Sequence, residues 1–388
     1  SSINAFAMLG GVIGIHTGLI LSANSESELA SVLSHEIAHI TQRHIARLVS
    51  KLQKDSFKSY LGLGLALLLA RSNPELAKGA LMASQALGVQ TVLDFTRDNE
   101  KEADRVGIKI LHKAGFDTRG SIDFFKTLQK GNPYSAGAAP SFLRTHPITS
   151  ERISDIENRL AEYPYKQRLD DPSFHFVKGK IKVFLQDKKS AIKQLKTSIN
   201  NKSFLSELGE RYALTYAYLL NENFKEAQRE IKWLKNKKIK NPMIDQLEIE
   251  ILIKKGDINA AYTSIKKALK KYPTYRAFVY ELANYFIETN SQNEAIKFLQ
   301  SYVLIFKTDP ELYKLLAKAY SLNGKRLLQY ESLAESFYYR YNLQEALVQM
   351  DMAVRASDGN FYEKSRVESR LKQIQKEKEI YDISKANL

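Results

Sequence analysis

The chain has 388 residues, 44 % of them hydrophobic, and no cysteine. That composition supports folded cores in two or three domains and excludes disulfides, thiolate nucleophiles and cysteine-ligated zinc. The net charge of +15 is uneven: residues 1–160 hold 18 Lys+Arg against 15 Asp+Glu, and the rest hold 40 against 28. A basic C-terminal part suits an acidic partner or a membrane surface, or is simply a solvated lysine face. No nucleic-acid motif accompanies the charge.

The first segment, INAFAMLGGVIGIHTGLIL (3–21), is rich in β-branched and aromatic residues and broken by Gly10-Gly11. It reads as one or two short strands. Ser25 then suits a helix N-cap, and Glu28 three residues on completes a capping box. Leu29, Val32, Leu33, Ile37 and Ile40 follow at helical spacing. Further apolar helices are expected at about 57–70, 75–95, 97–114 and 118–130, and a loop of glycine, proline and small residues at 130–142. The uncharged run 59–70 spans about 18 Å as a helix, short of the roughly 30 Å of a bilayer core, and predicts a buried or interfacial helix.

From about Asp171 the pattern changes to repeated helical pairs. Ala227, Ala261 and Ala295 stand 34 apart, as do Gly256, Asn290 and Gly324. A 34-residue period with small residues at helix contacts is the tetratricopeptide signature. Pro242, Pro273 and Pro310 fall near the starts of new helices, and Ala346 fits the same template at half spacing. Such arrays bind peptides or protein segments, and the chain's 21 tyrosines offer amphipathic anchors. The expected fold is mainly α: a helical domain with a small β edge over 1–165, followed by an α-solenoid of tetratricopeptide repeats over 166–388.

The stretch LSHEIAHITQRH (33–44) holds three of the seven histidines. His35 and His39, four apart on a helix, lie on one face and can converge on one ion. Glu36, about 100° away, can reach a water there as general base. Such spacing also arises on helices that hold no metal. His44 lies about 140° from His39 on a continuing helix, off the metal face, and reads as structural or supporting. A third ligand should come from another helix. FTRDNEKEADRVGIKIL (95–111) offers Glu100, and Asp104 one turn on can accept a hydrogen bond from a ligand histidine. Glu102 is expected to face solvent. The alternative is an ordinary charged helix face.

NAFAMLGG (4–11), HEIAHITQRH (35–44), EKEADRVG (100–107) and RTHP (144–147), in this order, resemble zinc metallopeptidases of the HtpX, Oma and CAAX-prenyl-protease type. Together with the tetratricopeptide tail, the likeness covers essentially the whole chain, catalytic half then solenoid. It departs at Met8-Leu9, where many relatives carry leucine-proline, and in starting almost at the NAFA strand, where such domains have preceding helices. The resemblance implies one Zn²⁺ per chain on His35, His39 and Glu100, Glu36 as base, and Asp104 behind the ligands. It brings His146 near the metal, either to stabilise the oxyanion or to occupy the fourth zinc position, with Arg144 a weaker candidate. Asn4, Ala5, Phe6, Ala7, Gly10 and Gly11 then belong to an edge strand that pairs with extended substrate. It further implies a periplasmic endopeptidase for unfolded or misassembled proteins, active in outer-membrane protein quality control. The repeats would engage clients or the assembly machinery, with peripheral membrane contact and no nucleic acid. The competing expectation is a chaperone or scaffold whose metal site is latent.

Overall fold

The computed structural model describes residues 2–8, 10–51, 96–129 and 141–386. The helices expected at 57–70 and 75–95, and all but the end of the loop at 130–142, lie outside them. Among the described residues no helix is long and apolar enough to cross a membrane.

The chain divides into two compact units, Ser1–Ala217 and Tyr218–Leu388. The first opens with a hairpin, β1 (Ala5–Ala7) antiparallel to β2 (Ile13–Ile15). Gly10 and Gly11, expected within the edge strand, instead form its turn, with φ of 90° and 81° that L side chains rarely adopt. Helices α1 (Thr17–Ser22) and α2 (Glu26–Thr41) follow, then α3 (44–51), α4 (96–113), α5 (Gly120–Gln129), α6 (Ser141–Thr145) and α7 (Ser150–Leu160). Ser25 caps α2 by accepting from the Glu28 N–H at 3.1 Å. The reciprocal bond slips by one residue: Glu28 accepts from Asn24, at 2.8 Å, rather than from Ser25. Ile3, Leu19, Val32, Ile108, Phe124, Phe142 and Ile156 form a common core. Burying each of these side chains contributes roughly 1.5–3 kcal/mol, which holds α2, α4, α6 and α7 around one centre.

Two glycines allow close helix approaches to α2. A Cβ on Gly107 of α4 would lie 3.2 Å from the His35 Cα, and one on Gly120 would lie 2.5 Å from the Ser27 carbonyl oxygen. Glycine at these crossings lets α4 and α5 press directly on the backbone of α2.

The helical pair α8 (Pro172–Phe184) and α9 (Lys188–Asn200) also belongs to the first unit. The Glu26 N–H donates to Asp170 Oδ1 at 2.8 Å, and Lys178 Nζ donates to the Ala23 carbonyl. The repeat-like pattern therefore begins in sequence before the compact units part, which happens within α10 (Glu207–Leu220).

The second unit is a run of helical hairpins: α11 (Phe224–Asn236), α12 (Pro242–Lys255), α13 (Ile258–Lys271), α14 (Arg276–Glu288), α15 (Gln292–Ile305), α16 (Pro310–Leu322), α17 (Arg326–Tyr338), α18 (Leu343–Arg355) and α19 (Phe361–Ala386). Ala227, Ala261, Ala295 and Ala346 are all buried at helix contacts. Pro242 and Pro310 stand in the first turns of α12 and α16; Pro273 lies in the turn before α14.

Candidate metal centre

Helix α2 presents His35 and His39 on one face, with Nε2 atoms 3.0 Å apart. Gly107 lets α4 lie against that face, so Glu100 meets both: its carboxylate oxygens are 3.2 Å from His35 Nε2 and 3.3 Å from His39 Nε2. His146, just past α6, completes the group. Its Nδ1 stands 3.0 Å from both Glu100 oxygens and 3.3 Å from His35 Nε2, and its ring stacks on Phe142. One donor atom from each of the four residues lies within 4.8 Å of the others. A tetrahedron with ligand distances of about 2.0–2.1 Å has edges of about 3.3–3.4 Å. The spacings of 3.0–3.3 Å between these donors lie close to those edges, and all four donors lie within 4.8 Å, so the group fits a zinc site.

The charges point the same way. Burial pushes the His35 imidazole down, but the Glu100 and Asp104 carboxylates outweigh it and raise it to about 10. Burial pushes Glu100 up, and the charge on His35 with hydrogen bonds from three histidines carries it well below the carboxylate range. Buried carboxylates are thus holding a proton on an imidazole that would ordinarily be neutral. A divalent cation in the same place supplies that charge and frees His35 Nε2 to ligate.

Each helix-borne histidine is held from behind. His35 Nδ1 lies 3.0 Å from Asp104 Oδ1. His39 Nδ1 lies 2.8 Å from His44 Nδ1. His44 does not continue the helix: α2 ends at Thr41 and Arg43 takes φ 54°, so the chain turns and folds the imidazole back against His39. His44 Nε2 in turn lies 3.1 Å from Glu102, which also accepts from Arg47 at 2.8 Å. Glu102 is therefore engaged while its side chain stays 38 % exposed, so it faces solvent as expected and also holds His44. Sequence reasoning also missed Arg152. It is buried, and its Nε and Nη2 donate to the two oxygens of Asp104 at 2.7 and 2.9 Å. The usable signal was an arginine in the first turn of a helix that starts just after His146-Pro147. The Arg144 side chain lies outside the described residues.

Glu36 faces the same space from the other side. It is almost fully buried, and burial raises its carboxyl above the usual value. Its Oε1 has no hydrogen-bond partner among the described residues, with His146 Nε2 3.4 Å away. The Ala7 backbone N–H bonds the same carboxylate. The strand register explains that contact. Asn4, Phe6 and Met8 exchange bonds with β2 and its flanks, so the backbone groups of Ala5 and Ala7 point away from β2.

Comparison with known proteins gives this centre its context. Residues 1–160 match the model of peptidase family M48, and 252–319 match a tetratricopeptide repeat model. The N-terminal part is a peptidase family M48 domain. Its family makes the chain a metalloprotease, and the tetratricopeptide repeats follow the M48 domain. The β-barrel assembly-enhancing protease of Yersinia pestis is 29 % identical over 376 residues, covering 96 % of this chain and 77 % of its own. A putative β-barrel assembly-enhancing protease of Vibrio cholerae is 43 % identical over 180 residues, 46 % of this chain and 37 % of its own. The mitochondrial metalloendopeptidase OMA1 of Schizosaccharomyces pombe is 29 % identical over 168 residues, 43 % of this chain and 47 % of its own.

Proposed function

We propose that this chain is a zinc endopeptidase of the periplasm that removes unfolded or misassembled proteins during outer-membrane protein assembly. The observation that carries the reading is the convergence of His35, His39, Glu100 and His146 on one point, with Glu36 Oε1, which has no hydrogen-bond partner among the described residues, beside it. The compartment and the client class rest on the relatives named for β-barrel assembly.

His35, His39 and Glu100 would hold the ion. Zinc, when bound, lowers the pKa of a water toward about 7 and polarises a peptide carbonyl. Glu36 takes the proton from the attacking water and passes it to the leaving amine; its raised pKa suits it to hold that proton between the two steps. An extended substrate would pair with the edge of this hairpin through backbone bonds that are largely sequence-blind. Such pairing favours clients whose backbone is already exposed. The repeats supply a second, side-chain-reading contact to client or assembly partner.

A second reading is favoured by the position of His146. Its Nδ1 occupies the fourth corner of the donor set, which makes the resting protein latent and leaves the repeats to act as a binding scaffold. One assay separates the cases: cleavage of an unfolded protein by the purified chain. Glu36→Gln is expected to keep zinc and to lose about 10²–10⁴-fold in rate; undiminished cleavage contradicts the assignment. His146→Ala is expected to cleave faster than the wild type if His146 is a plug, and more slowly if it stabilises the oxyanion.

A further inference from the structure

Arg152 takes no part in the chemistry above, yet its buried guanidinium joins three elements. Beyond the two bonds to Asp104, Nη1 lies 3.1 Å from Glu100 Oε2 and donates to the Pro147 carbonyl at 2.7 Å. The Arg152 backbone N–H is itself bound by Thr149 Oγ1, the N-cap of α7, at 3.2 Å. Asp104 orients His35, Glu100 is the ligand on α4, and Pro147 directly follows His146. A charge this deeply buried persists only where every partner is satisfied, and the rigid planar fork of arginine meets several acceptors at once, as an ammonium cannot.

We propose that Arg152 is the positioning residue that couples the seat of His146 to the metal ligands. It holds Asp104 and Glu100 in the pose that presents His35 Nε2 and the Glu100 carboxylate to the ion. Through the same group it anchors Pro147, so the segment bearing His146 pivots from a fixed point beside the metal. Displacement of His146 by substrate is thereby transmitted to Glu100 through the guanidinium, in addition to the direct His146–Glu100 contact. This inference rests on the zinc reading above.

The test uses the full chain with zinc alone, its affinity measured by competition with a chromogenic chelator, and melting followed in EDTA and in excess zinc. Arg152→Lys keeps the charge but not the fork. It is expected to weaken zinc binding at least tenfold, and Arg152→Gln by about 10–100-fold, with most of the melting-temperature loss appearing only in the zinc-loaded form. A double-mutant cycle supplies the decisive readout. His146→Ala should lower zinc affinity in the wild type and change it little in the Arg152→Lys background, because the seat is already lost. Additive effects, or wild-type affinity in Arg152→Lys, overturn the coupling. Should the glutamine variant fail to fold, the lysine variant alone decides. A wild type that binds no zinc defeats the underlying reading, whereas additive variants of a zinc-binding wild type defeat only the coupling.

Discussion

Two imidazoles on one helical turn offer a metal the right atoms only if both rings present Nε2, and that depends on what each Nδ1 meets. For His35 the partner is Asp104, readable in the sequence because EKEAD repeats the four-residue spacing of HEIAH. For His39 the partner is His44, which helical geometry misplaces. The 100° drift per residue holds only while the helix continues, and Arg43 at φ 54° interrupts it. His44 therefore helps to set the tautomer of His39. His44→Ala is expected to weaken zinc binding by about 10–100-fold with little change in far-ultraviolet circular dichroism; wild-type affinity in a chelator competition contradicts it. Arg152 carried only a weak signal, its place in a helix first turn after His146-Pro147, because its burial shows only once its carboxylate partners on another helix are known.

At the scale of elements, the small residues at 34-residue intervals are the most legible feature. The alanine column marks helix contacts, and the glycine–asparagine column marks a backbone demand. Gly256, Asn290 and Gly324 all take φ between 56° and 84°. Glu222, 34 residues before Gly256, takes φ 58°. All four precede the same bond, from the next residue's N–H to the carbonyl five back: Asn223 to Tyr218, Asp257 to Leu252, Ser291 to Phe286 and Lys325 to Tyr320. Glu222 escapes a search for turn residues because glutamate has no preference for that conformation. Relieving its left-handed strain, partly offset by the greater freedom of glycine in the unfolded chain, Glu222→Gly is expected to stabilise by roughly 0.5–1 kcal/mol. Denaturant unfolding checks this, and a destabilised variant contradicts it. The hairpin of the first unit was legible as strands, but its turn was not separable from the edge strand, since Gly10 and Gly11 suit either.

On the scale of the whole molecule, the change of sequence pattern at about Asp171 and the division into units at 217 differ because α8 is tied to the start of α2. Lys178 is central to that tie. Burial depresses its ammonium to about 8 from 10.5. Below pH 8 both states carry the proton, and the folded state bears the cost of a buried charge. Between pH 8 and 10.5 the unfolded chain binds the proton and the folded one does not, so stability rises with pH. The stability difference between wild type and Lys178→Met should therefore shift in favour of the wild type over that window; a flat difference from pH 8 to 10 contradicts the burial argument.

The claim on which the account depends is that α2, α4 and the His146 segment grip a single zinc ion. Anomalous diffraction from crystals of the zinc-loaded chain, recorded on either side of the zinc edge, tests it most directly. The account predicts one peak at about 2.0–2.1 Å from His35 Nε2 and His39 Nε2 and within bonding reach of Glu100. A peak remote from Glu100, or none among these residues, contradicts it.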